Sequence, residues 1–122
     1  MQENLSKREV VGSAGGGRDK DRRPILGKLA GQNADIVIVT NEDPYDEDPM
    51  EIINQISYEV DDNKLHKILD RREAIHKALE LAEKGDLILL TGKGAEQKMC
   101  VTNEKMIDWD DREVIKEGLR SV

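Results

Sequence analysis

Ile36-Val-Ile-Val-Thr-Asn-Glu-Asp-Pro-Tyr-Asp-Glu-Asp-Pro-Met-Glu51 decides how this chain folds. Its first five residues are β-branched, and four of them are apolar. A strand that is apolar on both faces belongs inside a parallel sheet with helices above and below. The last four residues are a helix start. Asp48 caps, Pro49 takes the first helical position where its missing N–H is no loss, and Glu51 follows at the third. Ile52, Ile53, Ile56 and Val60 recur at helical spacing and predict the buried stripe. Strand, acidic loop and helix therefore follow one another without a break, as in one half of a β–α–β unit.

The same alternation extends in both directions. Upstream, the first eight residues are polar and read as a loose segment. Val10 and Val11 form a short strand that runs into Gly12-Ser-Ala-Gly-Gly-Gly17 and the charged stretch Arg18-Asp-Lys-Asp-Arg-Arg23. Pro24 suits a first helical turn, and Ile25, Leu26, Leu29 and Ala30 predict its apolar face. Downstream, a short strand at Leu65–Leu69 precedes Asp70-Arg-Arg-Glu73, a second cap-and-Glu start. Ala74, Ile75, Ala78, Leu79 and Ala82 fill that helix's inner face, and Gly85 stops it. Leu87-Ile-Leu-Leu-Thr91 reads as another fully apolar strand, followed by Gly92-Lys-Gly-Ala-Glu96. Residues 99–109 look like short strands near an edge. Asp110-Asp-Arg-Glu113 caps a last helix carrying Val114, Ile115 and Leu119. Strands alternating with helices predict an α/β fold, a mostly parallel sheet with helices on both faces. Ligands of such sheets bind beyond the carboxyl ends of the strands. Residues 12–23, 41–48 and 92–98 are the loops expected there.

Composition narrows the function classes. At 122 residues, 37% hydrophobic and 37% charged, the chain is one soluble domain with an aliphatic core. Its aromatics are Trp109, Tyr45 and Tyr58 alone. Net charge is −7, yet residues 1–24 carry six basic and four acidic side chains. Between Glu42 and Asp62 lie nine acids and no Lys or Arg, a stretch that repels nucleic acid. Cys100 is the sole cysteine, so neither an internal disulfide nor a Cys-rich metal site can form. No apolar run reaches membrane-span length and no signal core opens the chain, so no membrane partner and a cytoplasmic setting are expected.

Each candidate loop has a functional reading and a plainer one. Gly15, Gly16, Gly17 and Lys20 could cradle an anion, with Arg18, Arg22 and Arg23 adding charge. The segment fails both known phosphate signatures, because Gly12-x4-Gly17 is followed by Arg-Asp and no G-x-G-x-x-G occurs. A turn with solvated charges reads equally well. The acidic loop Asn41–Asp48 could hold a cation or an ammonium group; turn and capping chemistry is the plainer reading. Gly92-Lys-Gly-Ala-Glu96 has the look of a ligand-facing loop or of an ordinary glycine turn. His66 and His76 read as solvated surface, Cys100 as a small buried apolar group and Trp109 as a packing anchor. No Ser-His-Asp set or metal-ligand spacing is visible, so no catalytic or metal-binding residue is assigned.

Taken in order, these segments resemble the Mur ligases of the UDP-N-acetylmuramoyl-peptide synthetase, or MurE, type. Gly16-Gly-Arg-Asp-Lys-Asp-Arg-Arg-Pro24 resembles that family's G-G-x-R-D-x-x-K-R-P. Ala34-Asp-Ile-Val-Ile-Val-Thr-Asn41, then Asp43-Pro44 and Glu47-Asp-Pro49, is similar to A-D-x-x-x-x-T-x-D-N-P-R-x-E-D-P. Ile68-Leu-Asp-Arg-Arg-Glu-Ala-Ile75 resembles I-x-D-R-x-x-A-I, Gly92–Glu96 resembles G-K-G-H-E, and Asp110–Glu113 the closing D-D-R-E. Five motifs in unbroken order are specific where each alone is weak.

The resemblance implies a Rossmann-like C-terminal, amino-acid-binding domain over residues 9–122, lacking its first strand and helix because the family's opening D-Y-A-H-x-P is absent. It implies a three-domain enzyme of cell-wall peptidoglycan synthesis. ATP and Mg2+ are held by the central domain, and an acyl-phosphate on UDP-MurNAc-peptide is attacked by the incoming amine. Arg18, Glu42, Asp43, Tyr45, Gly92 and Glu96 fall on amino-acid-contacting positions. No G-K-[ST] phosphate loop occurs, so the isolated chain is expected to be inactive. Where the family has D-N-P-R, this chain reads Glu42-Asp-Pro-Tyr45. In relatives using meso-diaminopimelate that arginine pairs with the distal carboxylate. Tyr45 cannot, while Glu42, Asp43, Asp46 and Glu47 offer negative charge, which favours a lysine- or ornithine-like amino acid. Ala95 also replaces the motif's His. The alternatives are a non-catalytic relative of the same fold, or a free-standing nucleotide- or phosphate-binding module.

Overall fold

Val37, Ile38 and Val39 are each 0% exposed. Burying both faces of one strand requires neighbours on either side and a helical layer on each face. The computed structural model supplies both. It describes residues 7–12, 20–41, 47–82, 86–90, 98–101 and 105–121, with the backbone alone for 98–101, 105–108 and 121. The elements are β1 (Lys7–Val11), α1 (Arg22–Asn33), β2 (Ile36–Val39), α2 (Pro49–Ser57), β3 (Leu65–Lys67), α3 (Arg71–Leu81), β4 (Leu87–Leu90), β5 (Lys98–Val101), β6 (Lys105–Asp108) and α4 (Asp111–Ser121).

Strand order is β3–β2–β1–β4, and every pairing within this sheet is parallel. Val11 lies opposite Val39, and Val10 lies between Ile38 and Leu90. The two-residue strand period sorts the core into two layers. Val11, Val37 and Val39 pack with Ala30 and Ala34 beside α1 and with Ile52, Ile53, Ile56 and Val60 beside α2. Val10 and Ile38 pack on the other face with Ala74, Ile75 and Ala78 of α3, Trp109, and Val114 of α4. From β1 the chain steps outward to β2 and β3 beneath α1 and α2. It then returns across the opposite face through α3 to reach the far side of β1. A reversal of direction that also changes face is what a single crossover handedness demands.

Three helix starts form as their sequences dictate. The Asp48 carboxylate accepts the Met50 N–H at 3.0 Å. Asp70 accepts those of Arg72 at 2.8 Å and Glu73 at 3.4 Å. Asp110 accepts that of Arg112 at 3.0 Å. Each cap satisfies an N–H that the helix itself leaves unpaired.

Other expectations are corrected. Lys7 and Arg8, read as part of the loose segment, belong to β1, and Arg8 is buried. The buried face of α1 is Arg23, Gly27 and Ala30, whereas Ile25 and Leu29 are 56% and 51% exposed. The reason is the closeness of α2: a Cβ at Gly27 would stand 1.7 Å from the Ile56 carbonyl oxygen. Only small residues fit that contact, so the large aliphatics turn outward. β4 is not buried on both faces. Leu87 and Leu89 are 42% and 43% exposed, because α1 covers β1 and β2 rather than β4. Leu119 is likewise exposed. β5 and β6 form a separate antiparallel pair rather than extending the main sheet. The expected stop at Gly85 and the side chain of Cys100 lie outside the described residues.

Candidate functional site

The carboxyl ends of β2, β1 and β4 lie side by side. The chain leaves β1 at Gly12, β2 at Thr40 and β4 after Leu90, so the three loops singled out from sequence start from one edge of the sheet. This edge includes the point between β1 and β4 where the winding direction reverses, the usual place for a ligand crevice in open α/β sheets. The strand ends are tied together. The Thr40 N–H donates to the Val11 carbonyl at 2.9 Å, the Ile68 N–H to that of Val39 at 3.0 Å, and the Thr40 hydroxyl to that of Leu69 at 3.4 Å.

Of the expected site residues, Lys20 is described: it is exposed in the turn before α1, and its carbonyl accepts the Arg23 N–H at 3.2 Å. Arg18, Glu42, Asp43, Tyr45, Gly92 and Glu96, with Gly15, Gly16 and Gly17, lie outside the described residues. The structure does fix what flanks them, and there the reading of two charged residues changes. Arg23 is committed to a carboxylate of the chain itself. Its guanidinium is fully buried, and it donates through Nη1 to Glu47 Oε2 at 3.0 Å and through Nη2 to Glu47 Oε1 at 3.2 Å. Nη1 also reaches Gln55 Oε1 at 2.7 Å. Glu47 is thereby neutralised, and it drops out of the acids that could attract an ammonium group. The signal was present in the sequence as the helical spacing of 23, 27 and 30, masked by the surrounding basic run.

Another buried arginine was quoted within a sequence motif but given no role. Arg71 is 1% exposed at the start of α3. It holds Asp111, at the start of α4, through Nε at 2.9 Å and Nη2 at 2.8 Å. Its Nη1 donates to the Asn41 carbonyl at 3.4 Å. The Trp109 indole N–H donates to the same aspartate at 2.7 Å, so Trp109 anchors by a hydrogen bond as well as by packing. Arg71 and Asp111 both follow a capping aspartate, and read alone they pass for ordinary first-turn charges.

The remaining polar groups serve the scaffold. Arg8 pairs with Asp86 at 3.2 Å and donates to the Leu81 carbonyl at 3.1 Å, at the opposite end of the sheet. Arg72 pairs with Glu117 and lies 5.6 Å over the Trp109 ring. That pairing holds the Glu117 carboxyl below its ordinary range, as the Arg112 side chain does for Asp110. Burial pushes the Glu9 carboxyl up, since in register it sits between Val37 and Leu89. His76 is half-buried rather than solvated, with Nε2 3.2 Å from the Val114 carbonyl oxygen. An open hollow of about 470 Å3 lined by Lys28, Gly31, Gln32, Glu59 and Asp61 lies beside the last turns of α1 and α2, away from the loop edge. Among the described residues no three His, Cys, Asp or Glu side chains gather as metal ligands would. Nor is any described helix long and apolar enough to cross a membrane.

A parallel, doubly wound sheet with helices on both faces defines an α/β domain. The chain belongs to the Mur ligase family: residues 2–94 match its glutamate ligase domain. It is 44% identical over 112 residues to the UDP-N-acetylmuramoyl-L-alanyl-D-glutamate–2,6-diaminopimelate ligase of Caldanaerobacter subterraneus, covering 90% of this chain and 23% of the relative. The ligase of the same name from Bacteroides thetaiotaomicron is 48% identical over 111 residues, covering 88% of this chain and 23% of the relative. A solved structure of a 2,6-diaminopimelate ligase with that name superposes with a TM-score of 0.87 at 31% identity, over 97% of this chain and 24% of that one. The chain thus spans about a quarter of the length of the relatives it matches.

Proposed function

We propose that this chain is the amino-acid-binding and closing domain of an ATP-dependent ligase that adds an amino acid to UDP-N-acetylmuramoyl peptide during peptidoglycan synthesis. The observation that carries this reading is the shared edge. The loops bearing Arg18, Glu42–Tyr45 and Gly92–Glu96 leave neighbouring strand ends at the winding reversal, where a small ligand would meet all three. In this reading Arg18 holds the amino acid's carboxylate and Glu96 its ammonium group, by charge-assisted hydrogen bonds. The domain's part in the chemistry is orientation, presenting the amine to an acyl-phosphate formed elsewhere. ATP and Mg2+ belong to that other part of the enzyme. Here the glycines are followed by Arg18-Asp19 instead of Lys-Ser/Thr, a segment that does not fit a nucleotide phosphate loop.

The named relatives take 2,6-diaminopimelate. For this chain a lysine- or ornithine-like amino acid is the better match, because Tyr45 offers the distal carboxylate no cation. Glu42, Asp43 and Asp46 remain to attract a distal ammonium group once Glu47 is committed to Arg23. An NMR titration of the labelled chain with L-lysine, meso-diaminopimelate and ATP tests this. Shifts at Arg18, Tyr45 and Glu96 with lysine are expected. A stronger response to diaminopimelate would reject the lysine preference. Shifts confined to Gly12–Lys20 with ATP would replace the whole reading by a nucleotide-binding module.

A further inference from the structure

One side of the molecule is apolar on a helix and on the strand next to it. Ile88 and Leu90 of β4 pack into the core beside α3, so the two-residue strand period turns Leu87 and Leu89 to the face that carries α1 and α2. Both remain exposed there. Glu9 shares that face, in register between Leu89 and Val37, and among the described residues no cation pairs with its half-buried carboxylate. Gly27 and Gly31 mark the flank of α1 that meets α2, and α2 covers β2 and β3. Helical geometry then turns Arg22, Leu26 and Leu29 toward the β4 side, with Ile25 between that flank and the outer surface. Ile25 and Leu29 are exposed as well. A stepped apolar surface therefore runs from the top of α1 down onto β4. Aliphatics exposed singly are ordinary, whereas a contiguous apolar patch marks an interaction surface.

We propose that this surface binds a second copy of the chain about a two-fold axis, with α1 of each copy seated on the open face of β4 in the other. The two halves fit one another in spacing and in charge. Ile25 and Leu29 are four residues apart, about 6 Å along a helix, and Leu87 and Leu89 are two apart, about 6.6 Å along a strand. Arg22–Asn33 holds basic residues and no acid, so the helix can meet the Glu9 carboxylate of the other copy. Because α1 covers β1 and β2, β4 stays open to a partner on this side. The two copies would share one helical layer between their sheets, α1 beside α1, with Leu26 at the contact. One patch carries both the helix and the strand, so the same contact forms twice, as a closed two-fold interface requires. None of the residues assigned to amino-acid binding takes part, and the dimer stands apart from the function proposed above.

The test is sedimentation equilibrium of the 122-residue chain. Concentrations from about 5 to about 500 µM suit an interface of small area. The mass is expected to rise from that of one chain toward that of two. Ile25→Glu and Leu89→Glu should each raise the dissociation constant about tenfold or more, as loss of a central apolar anchor does. Glu9→Lys, which sets a cation against the basic helix, should act in the same direction. Leu119→Glu is the control: it removes an aliphatic as exposed as Ile25, but on α4, and should change the constant less than about twofold. Circular dichroism identifies any variant that has lost its fold. Amide shifts of the wild type need no variant: they should move with concentration at residues 25–29 and 87–89 and stay fixed at 115–121. A wild type that remains monomeric throughout overturns the proposal. So does association that Leu119→Glu weakens as much as Ile25→Glu, since that is unspecific adhesion. A dimer lost in Leu89→Glu and kept in Ile25→Glu would be a pairing of β4 edges, which removes α1 as the occupant.

Discussion

Gly27→Ala is the sharpest test of how the helical layer is built. An added Cβ would stand 1.7 Å from the Ile56 carbonyl oxygen and 2.8 Å from its carbonyl carbon, both backbone atoms that cannot swing aside. Restoring ordinary contact of about 3.5 Å means moving α1 away from α2 by roughly 2 Å at that point. A gap of even 0.5–1 Å forfeits about a quarter to a half of the dispersion attraction across an interface. Overpacking of this kind costs about 1–3 kcal/mol, and the backbone contact places it at the upper end. Replacing a helical glycine with alanine returns about 1 kcal/mol. The net loss is about 2 kcal/mol, or a fall in Tm of roughly 6–10 °C for a domain of this size. Gly31, one turn later, is the internal control. Its added Cβ would meet Val60 at 3.8 Å, an ordinary contact, so Gly31→Ala should raise Tm by about 2–4 °C through helix propensity alone. Thermal unfolding followed by far-UV circular dichroism measures both. If Gly27→Ala melts at or above the wild type, or if the two variants fall together, the close α1–α2 contact is refuted.

Asp111→Ala leaves the Arg71 charge buried without its carboxylate and should cost about 3–5 kcal/mol by urea denaturation. The double variant Arg71→Met with Asp111→Leu should cost clearly less; equal losses would count against an electrostatic origin. Glu9→Gln should raise Tm at pH 7. Burial raises the folded-state pKa of Glu9, so ionisation opposes folding; the penalty is full above that raised value and vanishes below the ordinary value of 4.5. Melting curves of the two proteins should therefore converge as pH falls through that window. For Asp110 and Glu117 the sign is opposite. Their lowered carboxyls stabilise the fold above their ordinary values of 3.8 and 4.5 and lose that contribution as pH falls through the lowered ones, so Asp110→Asn should matter less at pH 2 than at pH 7. Tyr45→Arg should strengthen the NMR response to meso-diaminopimelate and weaken that to L-lysine; an unchanged order would remove position 45 from the specificity argument.

What the sequence made legible follows from where side-chain identity dominates. Ile36–Val39, the Asp48, Asp70 and Asp110 caps and the Ile52, Ile53 and Ile56 stripe were all readable, because local pattern and tertiary role agree there. α1 was misread because the rule that large aliphatics point inward yields to the distance between two helix backbones, and that distance is invisible until Gly27 meets Ile56. Leu87 and Leu89 misled for a related reason: an apolar strand reads the same at the edge of a sheet as at its centre. At the candidate site, the sheet edge shared by the carboxyl ends of β2, β1 and β4 was readable from the alternation of strands and helices. The pairing of Arg23 with Glu47 and of Arg71 with Asp111 was not, since each joins residues far apart in the chain that look solvated one at a time.

The central place of β1 constrains how the chain can fold as it is made. Val10 is synthesised well before its sheet neighbour Leu90, which arrives eighty residues later. At a synthesis rate of about 5–20 residues per second, β1 and β2 wait roughly 3–10 s for β4 after β2 is complete. During that interval β1 is an open sheet edge, and the layer of α1 and α2 can assemble on only one of its faces. Nascent chains paused between α2 and β4 would present that edge to chaperones, or to one another on a crowded polysome.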